Sequence, residues 1–190
     1  MRKIPNVFVR DFDGDPRRVT PAVEPVSAWA LAGEGVATRK WDGTAVLWRD
    51  GRLWRRYDAK RGKKPPADFV PAQEPDEKTG HHPGWIPVGN GPEDAWIVEA
   101  SMNDESANMV DGQTYEACGP KINGNPENLP QHILIRHGGV EIKARLADYD
   151  SVREFLMLGG PMEGIVWHHP DGRMAKVKRR DFGLPWGHGD

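Results

Sequence analysis

Apolar and polar residues alternate along this chain in short runs interrupted by glycine and proline, a pattern that favours strands over long helices. Residues 44–48 and 52–57 are strand-like and are joined by Arg49-Asp50-Gly51, and Asp-Gly is a preferred two-residue hairpin turn. Residues 164–169, the turn Pro170-Asp171-Gly172 and residues 174–178 predict a second hairpin. Residues 96–100, 114–118 and 132–136 also read as strands. Around Gly33-Glu34-Gly35, residues 28–31 and 36–40 suggest two short strands, or a strand and a turn. The best helix covers 150–160, with Asp150 or Ser151 as its cap, Glu154 three residues beyond Ser151 and glycine at its end. Residues 60–94 read as a long surface excursion whose one apolar knot is 85–88. The expected class is α+β, with twisted antiparallel sheets and flanking helices.

Composition narrows this further. At 190 residues, 37% hydrophobic and 28% charged, the chain fits one globular domain spanning 1–190, and its 17 prolines and 22 glycines agree with short elements and many turns. No apolar run is long enough to cross a bilayer, and none follows the charges of the N-terminus, so a soluble, cytoplasmic protein is expected. The single cysteine, Cys118, cannot form an internal disulfide and reads as a small buried side chain. A net charge of −2 argues against a generally basic protein that coats nucleic acid, yet two basic clusters stand out. One runs from Arg49 to Lys64 and the other from Arg173 to Arg180.

Four short motifs carry the chemistry. Lys40-Trp41-Asp42-Gly43 is followed by Tyr115-Glu116-Ala117-Cys118-Gly119, then by Glu163-Gly164-Ile165-Val166-Trp167, and finally by Lys176-Val177-Lys178. In type, order and separation these resemble the motifs of the covalent nucleotidyltransferases, the superfamily of ATP-dependent DNA ligases, RNA ligases and capping enzymes. The resemblance spans roughly residues 36–182. Only residues 179–190 follow the last motif, where DNA ligases and capping enzymes usually carry an OB-fold domain. The expectation is therefore a small adenylyltransferase domain without a C-terminal OB domain, similar to ATP-dependent RNA ligases of the vertebrate 5′-to-3′ group.

The resemblance implies roles for individual residues. Lys40 is the nucleophile that carries AMP, with Lys176 and Lys178 as its catalytic partners on the phosphate. ATP-binding residues are Lys40, Arg55, Glu116, Glu163, Val166, Lys176 and Lys178. Glu116 holds a ribose hydroxyl, Val166 packs on the adenine or belongs to the core, and Glu163 holds Mg²⁺, with Mn²⁺ as a substitute. Arg55 or Arg56 reaches a phosphate, but adjacent strand residues face opposite ways, so one of them does, and Arg55 is favoured. Ala45 departs from the family pattern, which often has Arg or Ser there, and Arg55 could replace that contact.

The implied chemistry is physically coherent. A free lysine amine has a pKa of about 10.4 and must lose its proton to attack phosphorus, and nearby cations favour that loss. The partners expected are RNA ends, a 5′-phosphate and a 3′-hydroxyl, bound at an ATP cleft with the second basic cluster at its mouth. An adenylyltransferase that does not seal ends, or a non-catalytic ATP- or nucleic-acid-binding module, would keep the same cleft. Other motifs are weaker. Asp11 to Asp15 opens like a calcium loop but has Ala22 where the closing glutamate belongs. The pairs His81-His82 and His168-His169 lack zinc-site spacing. Glu99 sits in an apolar strand-like run, where a buried carboxylate would need a partner, and has no assigned role.

Overall fold

The computed structural model describes residues 1–77, 79–103 and 108–187; Lys78, within the 60–94 segment, lies outside them. In chain order the elements are β1 (Phe8–Arg10), β2 (Val19–Val23), α1 (Ala28–Leu31), β3 (Val36–Lys40), β4 (Thr44–Arg49), β5 (Arg52–Ala59), β6 (Val70–Pro71), β7 (His82–Pro87), α2 (Ala95–Ser101), β8 (Thr114–Cys118), β9 (Ile133–Arg136), α3 (Tyr149–Leu158), β10 (Gly164–His168) and β11 (Met174–Lys178). All strand pairs within the sheets are antiparallel and the helices are few and short, as an α+β class requires. No described helix is long and apolar enough to cross a membrane. The chain divides into two compact units, one of Met1–Lys3 with Asp42–His137 and one of Ile4–Trp41 with the segment from Gly138 onward.

The first unit is built on a six-stranded sheet in the order β6-β7-β5-β4-β8-β9. The predicted hairpin forms, with Arg49 opposite Arg52 and the two loop residues Asp50 and Gly51 at φ 53° and 70°, the left-handed backbone that such a turn needs. The excursion of 60–94 is corrected in its second half. Residues 82–87 form β7, which pairs with β5 over six residues and buries Trp85. Pro83 and Pro87 disguised this strand, and they are tolerated because its other neighbour, β6, pairs at only two positions. Residues 96–100 are helix rather than strand. Ile97 and Ala100 are buried, whereas Trp96 and Glu99 face outward, a three-residue spacing that five residues of sequence could not separate from alternation.

The second unit holds the three-stranded sheet β11-β10-β3 and the small ribbon β1-β2. Ile165, Trp167, Ala175 and Val177 point from one sheet face into a core completed by Phe8, Phe182 and, from α3, Val152 and Leu156. The alternate positions Gly164, Val166, Lys176 and Lys178 therefore share the opposite face. Both sheet edges are covered: Val7 N–H donates to the Lys176 carbonyl at 2.9 Å, and Ile142 N–H to that of Ala37 at 2.8 Å. Residues 28–31 form a helical turn after a 3₁₀ turn at Pro25–Ser27. Helix α3 starts earlier than the sequence indicated: Asp148 is its cap, accepting from Ser151 N–H at 2.8 Å in a reciprocal capping box.

Candidate active site

Strand register gathers the lysines. Gly164, at the start of β10, lies opposite Lys40 on one side and Lys178 on the other, so the two lysines flank a position that has no side chain. A Cβ there would come within 2.1 Å of the Val177 carbonyl oxygen, which explains the glycine. One pair further along, Val166 lies between Lys176 and Thr38. Directly opposite residues share a face, so Lys40, Lys176, Lys178 and Val166 stand together on the side away from the core. Val166 is nevertheless 9% exposed, packed between its neighbours. Thr38, fully buried, donates its hydroxyl to the Val166 carbonyl at 3.0 Å and accepts from His168 Nε2 at 3.1 Å.

Glu163, 5% exposed, pairs through one carboxylate oxygen with Lys40 Nζ and through the other with Lys178 Nζ. Burial alone would raise its pKa, but the charges and hydrogen bonds of the two lysines outweigh that and hold it below the ordinary carboxylate value. Lys40 Nζ also donates to the Trp41 carbonyl at 3.2 Å. Lys176 is pushed down to about 8, chiefly by burial and then by the charges of Lys178 and Lys40, against the opposing pull of Glu163 and Asp181. The repulsion expected among the lysines is thus felt by Lys176, while Lys40 has an ionic partner.

In the first unit the Asp42-Gly43 turn is pinned from three sides. Asp42 N–H donates to Glu127 Oε1 at 2.9 Å, Gly43 N–H donates to Glu116 Oε1 at 3.0 Å, and Asn123 Nδ2 donates to the Gly43 carbonyl at 2.7 Å. A Cβ on Gly43 would lie 2.0 Å from the Ala117 carbonyl oxygen, so the turn requires glycine. Glu116, itself buried, accepts from His137 Nε2 at 2.8 Å, and His137 Nδ1 meets the Thr114 hydroxyl at 2.9 Å. Sequence reading missed Asn123, Glu127 and His137; the two visible signals were an Asn- and Gly-rich loop and a polar residue directly after a strand. Cys118 is buried, as expected, and its Sγ donates to the Asp42 carbonyl at 3.7 Å.

The two adjacent arginines are separated by the pleat. Val46 lies opposite both Arg55 and Tyr115, whereas Glu116 lies opposite Ala45, so Glu116 shares its sheet face with Arg56 and not with the favoured Arg55. Arg55 is held by Asp94 at 2.6 Å and by Glu93 at 3.8 Å. Arg56, half-buried, donates to the Met1 carbonyl. Glu99, on α2, is exposed and pairs with the buried His132 at 2.9 Å, so it is not a buried carboxylate without a partner.

Comparison with known proteins agrees with these motifs. The family model described as RNA ligase 1 matches residues 105–190, which include Glu116, Glu163, Val166, Lys176 and Lys178. The chain is 30% identical to the protein named RNA ligase 1 of Mus musculus over 273 aligned positions, covering 97% of this chain and 81% of that one. The Pongo abelii protein of the same name gives 30% identity, 97% and 82%, and that of Danio rerio gives 32% over 143 positions, 59% and 43%. A match at 30% identity over nearly the whole chain gives the family: the chain belongs to the RNA ligase 1 family.

Proposed function

We propose that this protein is an ATP-dependent RNA ligase built on a nucleotidyltransferase fold, with Lys40 as the residue that carries AMP. The observation that carries the reading is the ionic arrangement Lys40–Glu163–Lys178 around the bare Gly164, with Lys176 on the same face. Lys40 Nζ, having given up its proton, attacks the α-phosphorus of ATP; a phosphorus–nitrogen bond forms and pyrophosphate leaves. Lys176 and Lys178 meet the charge that develops on the non-bridging oxygens. The AMP then passes to an RNA 5′-phosphate, releasing Lys40, and a 3′-hydroxyl displaces AMP to form the phosphodiester.

Glu163 is the residue for a divalent cation. One carboxylate between two ammonium groups is a poor cage for a resident ion but suits Mg²⁺ arriving on the nucleotide, which keeps its waters and phosphate oxygens and takes one or two carboxylates. Among the described residues no group of three metal-ligating side chains provides an alternative. The ion would neutralise phosphate charge. Glu116, held in place by Gly43 and His137, is assigned the ribose hydroxyls, and Arg56, on its face, takes over the phosphate contact expected of Arg55.

The test is incubation of wild type and Lys40→Ala with α-labelled ATP and Mg²⁺, followed by RNA bearing a 5′-phosphate and a 3′-hydroxyl. The expected result is label on wild type alone, lost as RNA is joined. Label that stays on the protein while ends remain open would mean an adenylyltransferase without sealing, and a folded wild type that takes no label would overturn the nucleophile.

A further inference from the structure

The second unit carries an open groove of about 750 Å³ that the proposed ATP chemistry does not use, lined by Arg10, Arg17, Arg18, Arg180, Gly183 and Pro185. Four arginines line it, and among the described residues Asp15 and Asp181 are carboxylates that engage them. Cationic side chains thus gather at this groove in a protein whose formal net charge is −2.

Its arginines are set in place. Arg10 bonds Asp181 at 2.8 Å and also donates to the Arg17 carbonyl at 2.9 Å. Arg18 donates to the Arg180 carbonyl at 3.0 Å, lying over Gly183, where an added Cβ would come within 2.5 Å of its guanidinium. Arg17 is held through two of its nitrogens by Asp15, at 3.0 and 3.2 Å. Asp181, 1% exposed, accepts from Lys178 N–H at 2.8 Å as well as pairing with Arg10, so one buried carboxylate fastens the groove to the strand end that carries Lys178. Arg180 is two residues beyond Lys178, a span of at most about 7 Å.

We infer that this arginine groove is a seat for the phosphodiester backbone of a single-stranded RNA substrate next to the Lys178 end of the sheet. The inference rests on the ligase reading for its biological meaning, but its binding test does not depend on turnover. Guanidinium forks match phosphate oxygens in geometry and charge. An open groove lined by four arginines, without a stacking aromatic among its lining residues, favours backbone over base recognition, hence little sequence preference.

The experiment compares wild type with the double variant Arg17→Gln/Arg180→Gln, because both side chains are exposed and the fastening roles of Arg10 and Arg18 are left alone. Binding of a fluorescent single-stranded oligoribonucleotide with a 5′-hydroxyl is measured by anisotropy over a salt series, and labelling by α-labelled ATP is measured separately. Loss of at least about tenfold in affinity is expected, with the slope of log K against log salt reduced by about 1.4 for two phosphate contacts on a single strand. Labelling of Lys40 stays at the wild-type level, and Arg17→Lys/Arg180→Lys restores the slope. A double variant that binds with wild-type affinity and slope overturns the inference, as does a wild type that binds this RNA only when it carries a 5′-phosphate. Wild type that takes no label, together with RNA binding lost in the variant, would sink the ligase reading and uphold the groove.

Discussion

Removing a buried carboxylate shared by two half-buried ammonium groups leaves both uncompensated. Glu163→Ala is therefore expected to cost about 3 kcal/mol, read from the midpoint of urea unfolding at unchanged m-value. Because its pKa is lowered on folding, Glu163 stabilises the protein above the ordinary carboxylate range, and that contribution disappears as pH falls through its folded value. Lys176 acts in the opposite sense. Its folded pKa of about 8 lies below the ordinary 10.5, so between these values the unfolded chain binds more protons and stability rises with pH. Lys176→Met should raise the melting temperature at pH 7, flatten that rise and abolish labelling by ATP; an unchanged pH profile would show that Lys176 is not the strained group. Lys40, Glu163, Lys176 and Lys178 were legible in the sequence because strand alternation and motif order place them. Asn123, Glu127 and His137 were not, since they act by folding back across 80 to 85 positions or from the end of a neighbouring strand.

At the scale of elements, turn chemistry was the most readable signal. Asp50-Gly51 and Pro170-Asp171-Gly172 predicted two hairpins that the structure contains with the same strand partners. Signals failed where two periods fit a short run. Residues 96–100 satisfied a strand pattern until the contact of Ile97 and Ala100 with the sheet decided for a helix. Strand β7 failed for another reason, since its prolines are accommodated by neighbours that sequence cannot name. Helix α3 was legible but its cap was displaced by two or three residues, and the correction is testable. Asp148→Ala should lower the melting temperature, whereas Asp150→Ala, which removes no cap, should lower it less than half as much in the same thermal melt.

Across the whole molecule, each unit buries its own cluster of side chains, and the chain passes from one unit to the other between Trp41 and Asp42, within the motif that carries the nucleophile. The net charge of −2 hides local cationic surfaces, which is why overall composition said little about where an anion would bind. The pairing of Glu163 with Lys40 and Lys178 has a further consequence for how such surfaces respond to solution conditions. The site carries a built-in counter-ion. A nucleotide phosphate arriving there exchanges for a carboxylate instead of displacing mobile ions from solution, whereas an RNA strand has its own condensed cations to release. Raising salt from 50 to 200 mM should therefore weaken RNA binding steeply and leave the rate of labelling by ATP nearly constant. Equal sensitivity of the two would mean that the carboxylate does not serve as the resident anion.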